Sequence, residues 1–157
     1  MDYQAITFAI RNDVAIITLN RPEMMNALNT QMRAEITHAF KTAEKEARVV
    51  VMTGAGKAFC SGQDLGDGGS AVSLDLERTL RDEYVPMLKA IFDCRIPTIA
   101  AVNGPAAGAG ANLALAADVV IASDAAYFVQ AFTRIGLIPD AGGSYWLPRQ
   151  VGAAKAM

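Results

Sequence analysis

The chain opens with two β-rich runs and then changes period. Ala5–Ile10 and Val14–Leu19 are rich in β-branched and other apolar residues, and Arg11-Asn12-Asp13 between them predicts a hairpin. Asn20-Arg21-Pro22 ends the second strand. Asn29 or Thr30 can then cap a helix that carries Met32, Ile36, Phe40 and Ala43 on one face, with His38 two positions off that stripe on the solvated side. Val49–Thr53 is a continuous apolar run, which predicts a strand buried on both faces. A Gly-rich stretch follows, interrupted by Phe59, Cys60 and Leu65. Helical spacing returns from Ser70 to Phe92 (Leu76, Leu80, Tyr84, Met87, Ile91), where Pro86 predicts a kink or a break.

Pro97–Asp118 is the stretch around which the rest is organised. It reads as a strand over Thr98–Val102, then Asn103-Gly104, a loop of Gly and Ala, and a helical run through Ala116. Val119–Ala122 and Ala126–Val129 predict short strands and Ala131–Ile135 a helical turn, after which Ile138 to Gly152 leads into a final helix. Strands alternating with helices predict an α/β fold with a mostly parallel sheet, in one domain over residues 1–157.

With 157 residues, of which 52% are hydrophobic and 19% charged, the chain can bury a sizeable core. A formal net charge of −2 argues against nucleic acid or an anionic membrane as the main partner. No apolar run approaches the roughly 18 residues of a membrane span, and the first residues lack the layout of a secretory signal. Cys60 and Cys94 do not form a disulfide framework, so a reducing, cytoplasmic setting is expected. A single histidine gives no basis for a His-based metal cluster, and no metal is expected. The closing Gly-Ala-Ala-Lys-Ala-Met opens a helix with no stop signal, so a longer chain is expected.

Gly108-Ala109-Gly110 invites a nucleotide reading but does not meet it. Leu113 stands where a dinucleotide motif needs its third Gly, and Gly54-Ala55-Gly56-Lys57 is followed by Ala58 rather than Ser or Thr. Small residues there let backbone approach a ligand closely or let a strand pack tightly against a helix. If the sheet is parallel, the turns Cys60–Gln63 and Gly104–Gly110 both sit at strand carboxyl ends, where open α/β sheets bind ligands. Two backbone N–H groups converging from them would make an oxyanion hole, which needs donors but no particular side chain.

These residues carry a family resemblance over essentially the whole chain. Leu19-Asn20-Arg21-Pro22 with Asn26-Ala27-Leu28, Thr53-Gly54 through Phe59-Cys60-Ser61-Gly62-Gln63-Asp64-Leu65, Ala100-Ala101-Val102-Asn103-Gly104, Gly108-Ala109-Gly110, and Gly136-Leu137-Ile138-Pro139-Asp140-Ala141-Gly142-Gly143 occur in the order of the crotonase (enoyl-CoA hydratase/isomerase) superfamily. The chain resembles its N-terminal part. The resemblance implies a spiral of ββα units, with further C-terminal helices that build homotrimers or hexamers. It implies an acyl-CoA thioester as substrate, with coenzyme A part of that substrate and no separate cofactor. By motif position, the oxyanion amides fall at Gln63 and Ala109. The coenzyme-binding turns match Met24, Met25, Ser61, Asp64 and Leu65.

Hydratases of the family carry two glutamates, and those positions match Asn112 and Phe132 here. The resemblance therefore implies an isomerase in which Asp140 moves a proton, the oxyanion hole holds the enolate, and Phe132 lines the acyl group and excludes water. Gly136 to Arg149, with Ala106 to Asp118, looks most like the ring-opening isomerases of phenylacetate breakdown; a related activity shifts a double bond from the 3,4 to the 2,3 position. A turn or cap role for Asp140, a hydratase-like or aryl-CoA dehalogenase activity, and a non-catalytic acyl-CoA binder stay open. The loop Gly66–Leu74 is expected to shape the acyl pocket. Asp118 is expected to fix the chain's exit from its helix, Asp64 to cap or brace its own loop, and Cys60 to act as a small buried hydrophobe.

Overall fold

A computed structural model of the chain describes residues 2–66 and 75–157. Strands β1 (Ile6–Arg11) and β2 (Val14–Leu19) pair antiparallel across a two-residue turn. Asn12 and Asp13 both take positive φ, 50° and 63°, the turn whose twist matches a hairpin and which short polar side chains tolerate. The strands that follow are β3 (Val49–Gly54), β4 (Thr98–Val102), β5 (Ala106–Ala107), β6 (Val119–Ala122) and β7 (Phe128–Val129).

From β2 onward the large sheet is parallel, in the order β1-β2-β3-β4-β6. A second, short layer pairs β5 with β7 and is extended by single bridges, Leu28 with Gln63 and Cys60 with Ala106. Each pass of the chain thus leaves one strand in the large sheet and then a short extended piece in the second layer: β2 then Leu28, β3 then Cys60–Gln63, β4 then β5, β6 then β7. This repeat is the expected spiral.

Helix α1 (Thr30–Glu46) is capped by Asn29, whose side chain accepts the Met32 N–H. It lays Met32, Ile36, Phe40 and Ala43 into the core opposite Ile17, Leu19, Val50, Met52, Ala100 and Val102. The expectation that β3 is buried on both faces is corrected: Val50 and Met52 are buried, Val49 and Val51 only half-buried. Helix α1 lies against β1, β2 and β3, and a pleat covered from one side buries every second residue.

After Gln63 come α2 (Leu76–Thr79), a π turn at Leu80–Tyr84, and α3 (Val85–Phe92). Pro86 does not break this helix. The turn before it widens, and Val85 N–H reaches back five residues to the Leu80 carbonyl. Ser70 to Leu74, expected as the start of this helix, and the loop expected to shape the acyl pocket lie outside the described residues except for Gly66.

Helix α4 (Ala109–Leu115) follows β5 directly, so the expected Gly/Ala loop contains a strand. Only Phe128–Val129 of the expected Ala126–Val129 strand forms, because Ala126 N–H closes a turn on the Ser123 carbonyl. After a 3₁₀ turn at Ala131–Ile135, α5 (Gly143–Val151) and α6 (Ala153–Ala156) form two helices where one was expected; α5 carries Pro148 in its last turns. Among the described residues no helix is long and apolar enough to cross a membrane.

Two carboxylates brace the framework. Asp118 Oδ2 accepts both the backbone N–H and the hydroxyl of Thr98 at 2.9 Å, which pins the chain where it leaves α4, as expected. Glu35, fully buried, accepts the N–H groups of Gln4 and Ala5 at 2.8 Å and of Ile6 at 3.0 Å, so a helix side chain completes the edge of the sheet. Burial by itself would raise the Glu35 pKa, but the hydrogen bonds from Gln31 and these three amides outweigh it and hold it below the usual carboxylate value. Its stabilising contribution is therefore present above the unfolded-state pKa and disappears as pH falls through the lowered folded value. Replacing Glu35 by Ala, which strands three donors, is expected to cost about 3 kcal/mol in urea unfolding at neutral pH, with a smaller difference from the parent in acid.

Candidate active site

Two asparagines from the sequence motifs set the loop after β3. Asn26 is fully buried; its Nδ2 donates to the Ala55 and Ala58 carbonyls at 2.9 Å while its Oδ1 accepts the Arg21 N–H. Asn103, beyond β4, accepts the Gly54 N–H at 3.0 Å and donates to the carbonyls of Gly56 and Ala58. Residues 54–58 are thereby held from both sides. Gly104 backs onto the Lys57 carbonyl with no room for a Cβ. The position of Cys60–Gln63 follows from this clamp.

The ladder then re-aims the backbone at Gly62. Cys60 uses both its N–H and its carbonyl toward the β5 side, bonding Pro105 and Ala107. Two residues on, the Gly62 carbonyl turns instead to Leu28 N–H, and Asp64 N–H bonds the Leu28 carbonyl. Gly62 sits at φ +96°, a conformation open to glycine. Since adjacent residues in a ladder point to opposite sides, the shift leaves Gln63 N–H facing away from Leu28, without a backbone partner among the described residues. Across the gap, Ala109 N–H in the first turn of α4 also has no backbone partner among the described residues, between Gly108 N–H on the Val129 carbonyl and the Asn112 N–H on the Gly108 carbonyl. A Cβ on Gly62 would stand 2.8 Å from the Ala107 oxygen and 3.5 Å from the Ala109 nitrogen, so the two turns meet here. Gly110 is packed as tightly on the Cys60 carbonyl and thiol.

Gln63 is held from behind by its side chain. Arg33 is 1% exposed, and its Nη1 donates to the Leu28 carbonyl at 2.6 Å and to Gln63 Oε1 at 2.9 Å. Tyr84 O–H donates to the same Oε1 at 2.6 Å, and Glu83 Oε2 accepts from Arg33 Nε and Nη2. The π turn brings the consecutive residues Glu83 and Tyr84 to this one cluster. Sequence reasoning gave no site role to Arg33, Glu83, Tyr84 or Gln130, and it quoted Asn103 only as part of a family motif. For Arg33 a signal existed: an arginine one position after the apolar Met32, at the edge of the inward face of α1.

Asp140 lies on the turn before α5, where Ala141 and Gly142 take positive φ of 47° and 80°. Its backbone carbonyl accepts Gly143 N–H and the Asn112 Nδ2 at 2.9 Å, tying the turn to α4. Its side chain does not cap α5: the N-cap is Gly142, without a side-chain cap, and Asp140 Oδ1 is buried with no partner among the described residues. This removes the helix-cap alternative and leaves the turn role, since the Asp140 carbonyl closes a turn on Gly143 N–H. Burial pushes the Asp140 pKa up, opposed by its own backbone N–H. Its charge is felt at Tyr84, whose hydroxyl pKa is raised chiefly by burial and also by Cys60 and Asp140. Phe132 is buried, with its ring edge 3.8 Å from where a Gly108 Cβ would be.

The remaining expected residues divide. Met24 and Met25 are exposed, and Ser61 joins them, its N–H on the Met25 carbonyl and its hydroxyl on the Met24 carbonyl. Leu65 is 67% exposed beside them in sequence order. Asp64 braces its own loop instead of presenting a free carboxylate: Arg21 Nη1 donates to it at 2.8 Å and Gly66 N–H at 2.9 Å. Burial opposes, but these bonds prevail and lower its pKa. The Cys60 thiol is fully buried and pushed up to about 12, so it packs as an apolar group. His38 is exposed on α1, bonded to the Tyr3 hydroxyl. Among the described residues no cluster of His, Cys, Asp or Glu could hold a metal ion.

The crossing of the two turns is open to a direct test. Gly62→Ala is expected to lower stability by about 1–3 kcal/mol, read as a lower urea midpoint at unchanged slope. An unchanged midpoint would mean that the turn relaxes around a Cβ.

The chain resembles known proteins along its whole length. Residues 9–157 match the family model described as enoyl-CoA hydratase/isomerase. A Rhodobacter capsulatus protein named "Probable enoyl-CoA hydratase" is 64% identical over 157 residues, covering 100% of this chain and 61% of its own. The 1,2-epoxyphenylacetyl-CoA isomerase of Escherichia coli is 44% identical over 153 residues, covering 94% and 58%. The crystal structure of an enoyl-CoA hydratase from Polaromonas sp. JS666 superimposes with a TM-score of 0.88 at 38% identity, over 98% of this chain and 61% of that one. The chain thus spans about three fifths of the length of these proteins.

Proposed function

Because this chain belongs to the enoyl-CoA hydratase/isomerase family, we propose that it forms the N-terminal part of an acyl-CoA isomerase in which Asp140 carries the proton. One observation carries this reading: a buried carboxylate oxygen without a partner, on a turn bonded to the helix that opens with the unpaired Ala109 N–H. The thioester oxygen sits between the N–H groups of Gln63 and Ala109. Asp140 takes a proton from carbon 2, the electrons move into the thioester, and the enolate oxygen is stabilised by the two amides, each worth about 3–4 kcal/mol. Asp140, now neutral, exchanges its acid hydrogen with solvent and gives a proton to carbon 4, which leaves the double bond between carbons 2 and 3. The same base and oxyanion pair serves ring-epoxide isomerisation of an aromatic acyl group.

The environment supports a base of this kind. Burial raises the Asp140 pKa, which brings its conjugate acid closer to the operating pH. Phe132 and the small residues of α4 keep the surroundings apolar. Met24, Met25, Ser61 and Leu65 form the exposed rim on which the coenzyme end of the thioester is read, with Asp64 and Arg21 bracing the rim from below. A hydratase reading draws on the name of the Rhodobacter capsulatus relative. Against it, Asn112 is an amide with both ends engaged and Phe132 offers no acid or base.

The test uses the full-length protein with 3-hexenoyl-CoA and phenylacetyl-CoA in deuterated buffer. Deuterium incorporation is expected in the parent and should fall at least roughly 100-fold in Asp140→Asn. Because the folded pKa of Asp140 is raised, the rate should climb with pH through a value above the ordinary aspartate range. Ionising Asp140 above that value weakens the fold, so Asp140→Asn should also melt higher than the parent at neutral pH. Addition of water to 2-hexenoyl-CoA without any isomerisation would replace this reading by the hydratase one. Tight thioester binding without exchange would leave a binding protein.

A further inference from the structure

Asn112 is fully buried inside α4, and the reading above leaves it without a task. Its surroundings give it one. One end of its amide faces the Asp140 carbonyl, which can only accept, so that end is the Nδ2, at 2.9 Å. The other end is then Oδ1, and Gln130 must offer it a donor; Gln130 Nε2 does so at 2.7 Å. This order of amides has a visible cost. With its Nε2 turned to Asn112, Gln130 keeps a buried Oε1 that has no partner among the described residues. The contact is also close on the far side, where a Cβ on Gly143 would lie 2.5 Å from Asn112 Nδ2. The turn carrying Asp140 is seated directly on this amide.

The geometry points to Asn112 as the positioning residue of the reaction: with its orientation fixed by Gln130, it holds the Asp140 turn at a set distance from the helix that supplies Ala109 N–H. The inference rests on the reading that Asp140 moves the proton. The turn is held at its α5 end by Gly143 N–H on the Asp140 carbonyl and by buried Ala141 in a left-handed φ, and Asn112 Nδ2 is the side-chain donor that ties that carbonyl to α4. An ionised carboxylate at position 112 could accept from Gln130 but could not donate to the Asp140 carbonyl. Asn112 is therefore more than the absence of an acid. It supplies a donor that an ionised acid at the same place cannot.

A misplacement of about 1 Å at a reacting group costs on the order of 100-fold in rate while leaving binding in place. The experiment compares the full-length parent with Asn112→Asp, Asn112→Leu and Gln130→Leu, reading deuterium incorporation into 3-hexenoyl-CoA at saturation and the thioester concentration for half-saturation. Each variant is expected to exchange about 10- to 100-fold more slowly, with half-saturation within about threefold of the parent. Gln130→Leu should add little in the Asn112→Leu background, since Gln130 acts through Asn112. Exchange within twofold of the parent in all three, with Asp140→Asn inactive, would overturn the positioning role and leave the proton-transfer reading standing. A parallel loss of affinity and rate would equally overturn it. Should the Asn112 variants fail to fold, Gln130→Leu decides alone, slow exchange supporting the role and parental exchange refuting it. Unimpaired exchange in Asp140→Asn would instead remove the reading on which the inference rests.

Discussion

Everything distinctive in this chain depends on two backbone segments touching. The turn that leaves β3 and the turn that enters α4 cross at Gly62 and Gly110, where a single added carbon would run into the Ala107 or Cys60 carbonyl. Contact this close is possible only where side chains are missing. It is useful because main-chain donors are rigid, neutral and unable to titrate. The loops are short of functional groups because the close contact leaves no room for them, and under the proposed reading their main-chain donors hold a developing negative charge.

Around that contact the polar side chains act as struts. Asn26 and Asn103 fix the first turn from opposite strands, Arg33 and Tyr84 grip Gln63 from beneath, and Asn112 reaches from the second turn to Asp140. Most of these groups are buried and bonded to carbonyls or to one another. A buried amide or guanidinium without such partners would be costly. The cluster therefore holds its shape only as a whole.

The large features of this arrangement were legible in the order of residues. Two β-rich runs about Arg11-Asn12-Asp13 gave the hairpin, the apolar runs gave β3 and β4, and Asp118 was correctly placed at the exit of α4. What escaped has physical causes. Pro86 looked like a break because a missing N–H usually ends a ladder, whereas a widened turn absorbs it. Ala106 and Ala107 looked like loop because two residues cannot show a period, and their strand character exists only through Cys60 and β7. The side-chain struts escaped for a similar reason: Arg33 meets Gln63 from 30 residues away and Gln130 meets Asn112 from 18, and no local pattern encodes such pairs. Asp140 was singled out by the family resemblance, while its freedom from capping is visible only in three dimensions.

Main-chain donors have an evolutionary consequence. An amide N–H is the same whichever side chain follows it, so substitution at positions 63 and 109 leaves the donors themselves in place. Under the proposed reading, selection for a new reaction acts instead on a few side chains, at 112, 132 and 140, set on an unchanged cradle. Overall identity then follows the cradle, and chemistry follows those few positions. Proteins 64% and 44% identical to this chain bear the names of a hydratase and an isomerase, a divergence that a scaffold built on anonymous donors makes easy.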